Sequence, residues 1–209
     1  MSSWMFRGLR KGRVTTKFPR KPPESVPAWT TRPIWKGEGD ASCPVNAIED
    51  HRVSMGRCIS CGYCSGAYEP DGSVDLSTAN GKGRIFSRSY HVYLFDAGTC
   101  GACNLEIKAL TNPVYDMSRL GIFFTSTPKH ADAILVSGVM ADGMREPLRH
   151  AVEALPEPRL VFAVGACAIS GGILGKAISE VIDADVIVPG CPPNPFTILD
   201  ALLKSRGDS

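Results

Sequence analysis

Eight cysteines constrain the folding of this 209-residue chain more than any other feature, because they divide into two complete sets of four. Cys43, followed by Pro44, goes with Cys58, Cys61 and Cys64. Cys100 and Cys103 go with Cys167 and with Cys191, which sits in the run Pro189-Gly190-Cys191-Pro192-Pro193. No cysteine is left over. A chain that collects four thiols at each of two points has much of its path decided. No apolar run approaches the roughly 18–20 residues of a membrane span, and Met1 to Phe6 leads into charge with no apolar leader core. The chain is therefore expected to stay in the cytoplasm, where thiols are kept reduced and clustered cysteines favour metal over disulfides.

The length allows one well-cored domain and a smaller piece. A formal net charge of +2 conceals an asymmetry: residues 1–37 hold nine Lys/Arg and one Glu, the remainder fourteen and twenty Asp/Glu. A basic arm thus precedes an acidic body. Pro19, Pro22, Pro23, Pro27 and Pro33 keep residues 1–40 extended. All three tryptophans, Trp4, Trp29 and Trp35, lie there, which suits anchoring against another surface. With no stacking pattern and no nucleic-acid motif, nucleic acid is not an expected partner. An anionic membrane surface and an acidic subunit remain, and threading over a neighbouring subunit is the expectation.

Residues 41–84 are Gly- and Cys-rich with too few large apolar residues for a core, so a metal centre must hold them. Over residues 85–209 the texture is that of an α/β domain. Strands are expected at His91–Phe95, Gly121–Phe124, Ala133–Gly138, Leu160–Val164 and Val186–Val188, with Asp96-Ala97-Gly98 as a turn. Helices are expected at Cys103–Leu110, Arg145–Leu155, Gly172–Val181 and Pro195–Leu203. Apolar strands alternating with helices indicate a parallel sheet covered on both faces. The cysteines of the second set all follow strands, at the sheet edge where open α/β folds hold ligands.

Bacterial-type ferredoxins carry two Cys-x-x-Cys-x-x-Cys-x-x-x-Cys-Pro runs, the last Cys of each binding the other cluster. Here one triplet remains, Cys58-Ile59-Ser60-Cys61-Gly62-Tyr63-Cys64, and one upstream Cys-Pro, Cys43-Pro44. Where the triplet's own Cys-Pro belongs stands Tyr68-Glu69-Pro70. Four thiolates also suit tetrahedral zinc; the cluster reading is preferred because the missing ligands vanish as a set. The segment resembles half of a two-cluster ferredoxin domain holding one 4Fe–4S cluster, with Tyr68 packed over it. The lead-in Gly12-Arg13-Val14-Thr15-Thr16-Lys17-Phe18-Pro19 is similar to that of ferredoxin subunits in membrane hydrogenases and complex I.

In the second set, Cys100 and Cys103 open a helix whose positive end favours thiolates. A thioredoxin-like redox pair is the alternative for Cys100-Gly101-Ala102-Cys103. Against it stand Gly165-Ala166-Cys167 and Gly190-Cys191-Pro192, each a cysteine in a tight turn whose small residues let the backbone approach an inorganic core. With Cys103-Asn104-Leu105-Glu106-Ile107, Pro128-Lys129-His130-Ala131-Asp132, Met144-Arg145-Glu146-Pro147-Leu148-Arg149 and Pro156-Glu157-Pro158-Arg159, residues 90–205 resemble the small subunit of NiFe hydrogenases and its homologue in complex I, the B-type subunit. The resemblance implies a flavodoxin-like domain holding a second 4Fe–4S cluster against a separate large subunit. The complex I homologues carry adjacent cysteines at the first position, so the spacing of Cys100 and Cys103 sides with the hydrogenases, especially the membrane-associated, formate hydrogenlyase-like kind. Ala97 stands near where those often have a further cysteine.

What the resemblance implies is an electron-transfer subunit without catalytic residues of its own. Its expected partners are a NiFe hydrogenase-type large subunit, a further iron–sulfur or ferredoxin protein, and integral subunits that hold it on the inner face of the cell membrane. A complex I-like or nickel-free relative, and a zinc-stabilised assembly module, are the alternatives. Glu106 is a candidate proton relay, with a solvated helix glutamate as the plain alternative. His130 is weighed as a donor to cluster sulfur against a turn role, and Arg145 and Arg149 as partner contacts against solvated arginines.

Overall fold

The computed structural model describes residues 15–24, 26–79 and 89–207, together with Arg7 and Arg10. Trp4, the first part of the ferredoxin-type lead-in and the expected boundary between residues 84 and 85 lie outside the described residues. Among the described residues, nine strands form three sheets. β1 (Pro33–Trp35) pairs antiparallel with β4 (Tyr68–Pro70), and β2 (Ile48–Glu49) with β3 (Arg52–Val53). The third sheet contains β5 (Tyr90–Gly98), β6 (Ile122–Phe124), β7 (Ala133–Gly138), β8 (Leu160–Val164) and β9 (Val186–Val188), all parallel, in the order β6-β5-β7-β8-β9. Counted within the sheet this is the 2-1-3-4-5 order of flavodoxin-like folds, with its switch point between β5 and β7.

Period-two alternation sorts each strand's side chains between two apolar layers. Val92, Leu135, Phe162 and Val164 face α1 (Ala102–Ala109) and α4 (Pro195–Arg206), where they meet Ile107, Ile198 and Leu202. Phe95, Val136, Val161 and Ala163 face α2 (Arg145–Ala154) and α3 (Ala166–Ser170), meeting Leu148, Ala151 and Ala168. Every residue of β7 and β8 is buried, which is why they read as continuous apolar runs. Among the described residues, no helix is long and apolar enough to cross a membrane.

Two expected elements differ. The turn at Asp96–Gly98 is the end of β5, since Asp96 and Gly98 pair with Ser137 and Gly138 of β7. These strand ends approach so closely that a Cβ on Gly138 would stand 2.6 Å from the Gly98 carbonyl carbon. The helix expected over Gly172–Val181 is absent. The helix comes earlier, as α3, and ends at Gly171 and Gly172 with φ of +83° and +55°. Ile173 and Leu174, within that span, are 70% and 58% exposed.

The arm makes contacts with its own chain. Phe18 is buried in the core against Phe196, ring centroids 5.4 Å apart. Arg119 Nη2 donates to the Phe18 carbonyl at 2.9 Å, and Thr16 N–H to that of Val114 at 3.1 Å. Further along, Thr78 extends the β9 edge: its N–H donates to Ile187 O, and its Oγ1 accepts from Ile187 N–H. Lys204 joins Asp75 to Asp200 across the same junction.

Candidate metal centres

The second quartet sits at the C-terminal edge of the parallel sheet. Cys100 follows β5, Cys103 lies in the first turn of α1, Cys167 follows β8 within α3, and Cys191 follows β9. Three segments separated in sequence thus deliver four thiols to one place. Burial, then Cys191, Cys167 and Cys100, push the Cys103 thiol up to about 12. Burial also raises Cys167 and Cys191, with Cys100 adding to both. The helix N-terminus expected to favour the thiolate at Cys103 is therefore outweighed: only a cationic core would offset burial and three like charges. Gly165 is part of the cradle, because a Cβ there would lie 2.5 Å from Cys103 Sγ. The small residues of the turn thus make room for a thiol of the quartet itself.

Asp96, expected in a turn and found at the end of β5, braces the loop that carries Cys100 and leads into α1. Asp96 Oδ1 accepts from Gly98 and Thr99 N–H at 2.9 and 2.8 Å, and Oδ2 from Asn104 Nδ2 at 2.7 Å. Asn104 Oδ1 in turn accepts from Ser137 Oγ at 2.6 Å, tying α1 to β7. Burial alone pushes the Asp96 carboxyl up, but hydrogen bonds from Thr99, Gly98 and Asn104 outweigh it and hold it below the ordinary value. The visible signal was an Asp two residues before glycine, an Asx-turn pattern. Asp96→Ala is expected to cost about 1–3 kcal/mol, the scale of hydrogen bonds to a charged acceptor. A lower urea midpoint at unchanged slope checks it, with Asp96→Asn losing less.

The first quartet lines a cavity of about 270 Å³, whose wall includes Cys43, Cys58, Cys61, Cys64 and Tyr68. Burial raises the Cys58 thiol; a backbone hydrogen bond at Ser60 opposes this, while Cys64, Cys43 and Cys61 add to it. Ala47 N–H points at Cys43 Sγ, 3.3 Å away. Of five non-glycine residues with left-handed φ among the described residues, Asn46, Asp50, His51 and Ser60 lie in this segment. Asp50 and His51 form the two-residue β2–β3 turn, a conformation that prefers Asn-Gly. His51 stacks on Trp35 with centroids 4.0 Å apart, closing β1 over the hairpin. Tyr68 is 4% exposed beside the thiols, where the sequence placed it. Among the described residues, no group of three or more His, Cys, Asp or Glu is arranged to hold a single metal ion.

The family described as NADH ubiquinone oxidoreductase, 20 Kd subunit, matches residues 100–205, beginning at Cys100 and taking in the whole second quartet. The chain belongs to this family. Formate hydrogenlyase subunit 7 of Escherichia coli is 36% identical over 144 residues, covering 65% of this chain and 56% of that protein. The B-type subunit of the NADH-quinone oxidoreductase of Desulfovibrio desulfuricans is 36% identical over 107 residues, covering 49% and 58%. The chain spans little more than half the length of these two relatives. A chain of the membrane-bound sulfane sulfur reductase, an archaeal respiratory membrane complex, superposes with a TM-score of 0.50 at 28% identity, covering 57% of this chain and 69% of that one. This 20 Kd-subunit family member is thus an oxidoreductase-type subunit with a flavodoxin-like sheet. Residues 43–64 lie outside the matched span.

The remaining candidates of this family member divide. Glu106 lies one turn beyond Cys103 on α1, partly exposed, and burial raises its carboxyl. His130 ends a short helical turn that leads into the N-terminal end of β7, the sheet edge opposite the cysteines, so it is not brought to the quartet. Arg145 pairs with Asp142 at 3.2 Å and with Glu180, and Arg149 with Glu146 at 2.5 Å. Both arginines have partners in their own chain. Ala97 is fully buried on the α2 side of β5. Leu105 and Ile173, in the segments that carry Cys103 and Cys167, are each 70% exposed.

Proposed function

We propose that this chain is the electron-wiring subunit of a membrane-associated NiFe hydrogenase of the formate hydrogenlyase-like kind. Cys43, Cys58, Cys61 and Cys64 hold one 4Fe–4S cluster, and Cys100, Cys103, Cys167 and Cys191 hold the other. The observation that carries the reading is the gathering of eight cysteines into two separate quartets, one of them at the ligand edge of the sheet. Four thiolates also suit tetrahedral zinc, but in the first quartet the ligands missing relative to a two-cluster ferredoxin vanish as a set, which supports a cluster there. When bound, such a cluster takes up and releases one electron without making or breaking bonds to substrate. The chain's own residues position the thiols, with Cys103 buried and Cys61 and Cys100 left exposed; bond chemistry belongs to the large subunit. The exposed Leu105, Ile173 and Leu174 beside the second quartet support docking of that subunit there. Attachment to the inner membrane face is through integral partners, with the basic arm assisting.

The equal identity to a quinone oxidoreductase component supports a second reading, service in a complex I-like enzyme. The Cys100–Cys103 spacing favours the hydrogenase, and nickel-ligating cysteine pairs at both ends of the partner large subunit would decide it. The two-cluster assignment is tested by anaerobic purification with iron and sulfide analysis. About eight irons with matching sulfide per chain are expected from two 4Fe–4S sites; two zincs without sulfide would sink it.

A further inference from the structure

The segments that carry the two quartets touch where Gly56 meets Ile169. A Cβ built on Gly56 would stand 3.1 Å from Ile169 Cγ2, tighter than nearly all real side-chain contacts. Gly56 has an ordinary φ, so its backbone conformation does not call for glycine. What sets glycine apart there is the missing side chain. Gly56 precedes Cys58 of the first quartet by two residues, and Ile169 follows Cys167 of the second by two.

Both sides of the contact are braced. Arg57 and Cys58 N–H donate to Ser54 O at 3.1 Å each, which makes residues 54–58 one tight turn. Ser54 N–H donates to Ala47 O at 2.7 Å, and Met55 is buried. On the other side Ile169 belongs to α3, packs against the core layer under α2, and donates its N–H to Gly165 O at 3.2 Å. Gly172 lies against Cys167 Sγ, where a Cβ would come within 3.2 Å. A shift at Gly56 or Ile169 is thereby transmitted to a cysteine on either side.

We propose that the Gly56–Ile169 contact sets the spacing between the two cysteine quartets and forms the crossing by which an electron passes between the centres they hold. The inference rests on the two-cluster reading above. One electron given up on one side is taken up on the other, with no bond or proton changed. Transfer of this kind weakens steeply with distance and with gaps in packing, so a contact in which only the Ile169 side chain stands between the two segments is the arrangement that favours it.

The test uses the full chain, purified anaerobically, with iron and sulfide measured for every variant. In the fully reduced protein, two paramagnetic centres this close broaden one another's EPR signals. Gly56→Val puts branched carbon where even a Cβ is crowded, and a decrease in the mutual broadening is expected with both signals still present. Gly56→Val combined with Ile169→Ala returns the space, and the broadening should come back. Should Gly56→Val lose iron, the milder Gly56→Ala reports in its place, with partial loss of broadening expected. Unchanged broadening in an iron-replete Gly56 variant overturns the inference while leaving the two-cluster reading intact. Iron and sulfide for fewer than two clusters in the unaltered chain overturns both.

Discussion

With the proposed cluster in the first quartet, stripping iron from the anaerobically purified chain is expected to unfold residues 33–70 while the five-stranded sheet keeps its amide protection. The reason is the uneven distribution of core. Between residues 33 and 70, the apolar side chains that are fully buried are Ala47, Met55, Ala67 and Tyr68. The two small sheets are two or three residues long, and two-stranded sheets of that size are not stable alone in water. Left-handed φ at Asn46, Asp50, His51 and Ser60 adds strain of about 1–3 kcal/mol at each such residue. Metal-binding free energy, on the order of 10 kcal/mol or more in small structural metal sites, offsets these costs only while the metal is bound. The sheet of residues 90–207 has an apolar layer on each face and no such dependence. Hydrogen exchange read by mass spectrometry, before and after chelation under nitrogen, measures the two regions separately. Persistent protection of β1–β4 without iron would show that the segment folds by itself.

Much of the architecture was legible because it depends on periodicity. Buried parallel strands announce themselves as unbroken apolar runs, as in Ala133–Val136 and Leu160–Val164, and five such runs fix the fold class. The placement of Cys100, Cys103, Cys167 and Cys191 was legible for a related reason: each follows a strand of the parallel sheet and so comes to its C-terminal edge. Features set by tertiary contact were not. Asp96 reads as a turn former, yet pairing with β7 keeps Asp96–Gly98 in the strand and turns the carboxylate to the loop that follows. Ile173 and Leu174 lie in a span that reads as a helix, but two consecutive glycines with positive φ end α3 before them. Phe18 looked like part of an arm bound elsewhere and is instead part of the chain's own core. Gly56 gave no local signal at all, because its reason is a side chain more than a hundred residues away.

The sharpest single-residue effect is expected at Gly165, where conformation and crowding act together. Its φ of 89° with ψ of 156° lies in a region essentially closed to side chains, which costs about 1–3 kcal/mol for any replacement. Its position is pinned, since Gly165 N–H donates to Val188 O at 2.8 Å and Ala166 N–H to Gly190 O at 2.9 Å. The added methyl of Gly165→Ala would lie 2.5 Å from Cys103 Sγ. Cys103 has little room to yield: it is 8% exposed and rides on α1, which the fully buried Ile107 anchors to the core. Overpacking of this sort adds about 1–3 kcal/mol. Because the displaced atom is a proposed ligand, the larger effect falls on the metal: about four irons per chain should remain instead of eight, one 4Fe–4S site's worth, with the first quartet's EPR signal intact and the second's gone. Gly101→Ala separates crowding from positive φ, since Gly101, between Cys100 and Cys103 in the β5–α1 loop, has φ of 93° with ψ of −21°, but its Cβ meets nothing within 4 Å. That variant should lose stability and retain its iron. If both substitutions cost iron equally, backbone strain alone governs the site; if Gly165→Ala keeps a full complement, the thiol of Cys103 is not held where the second quartet requires it.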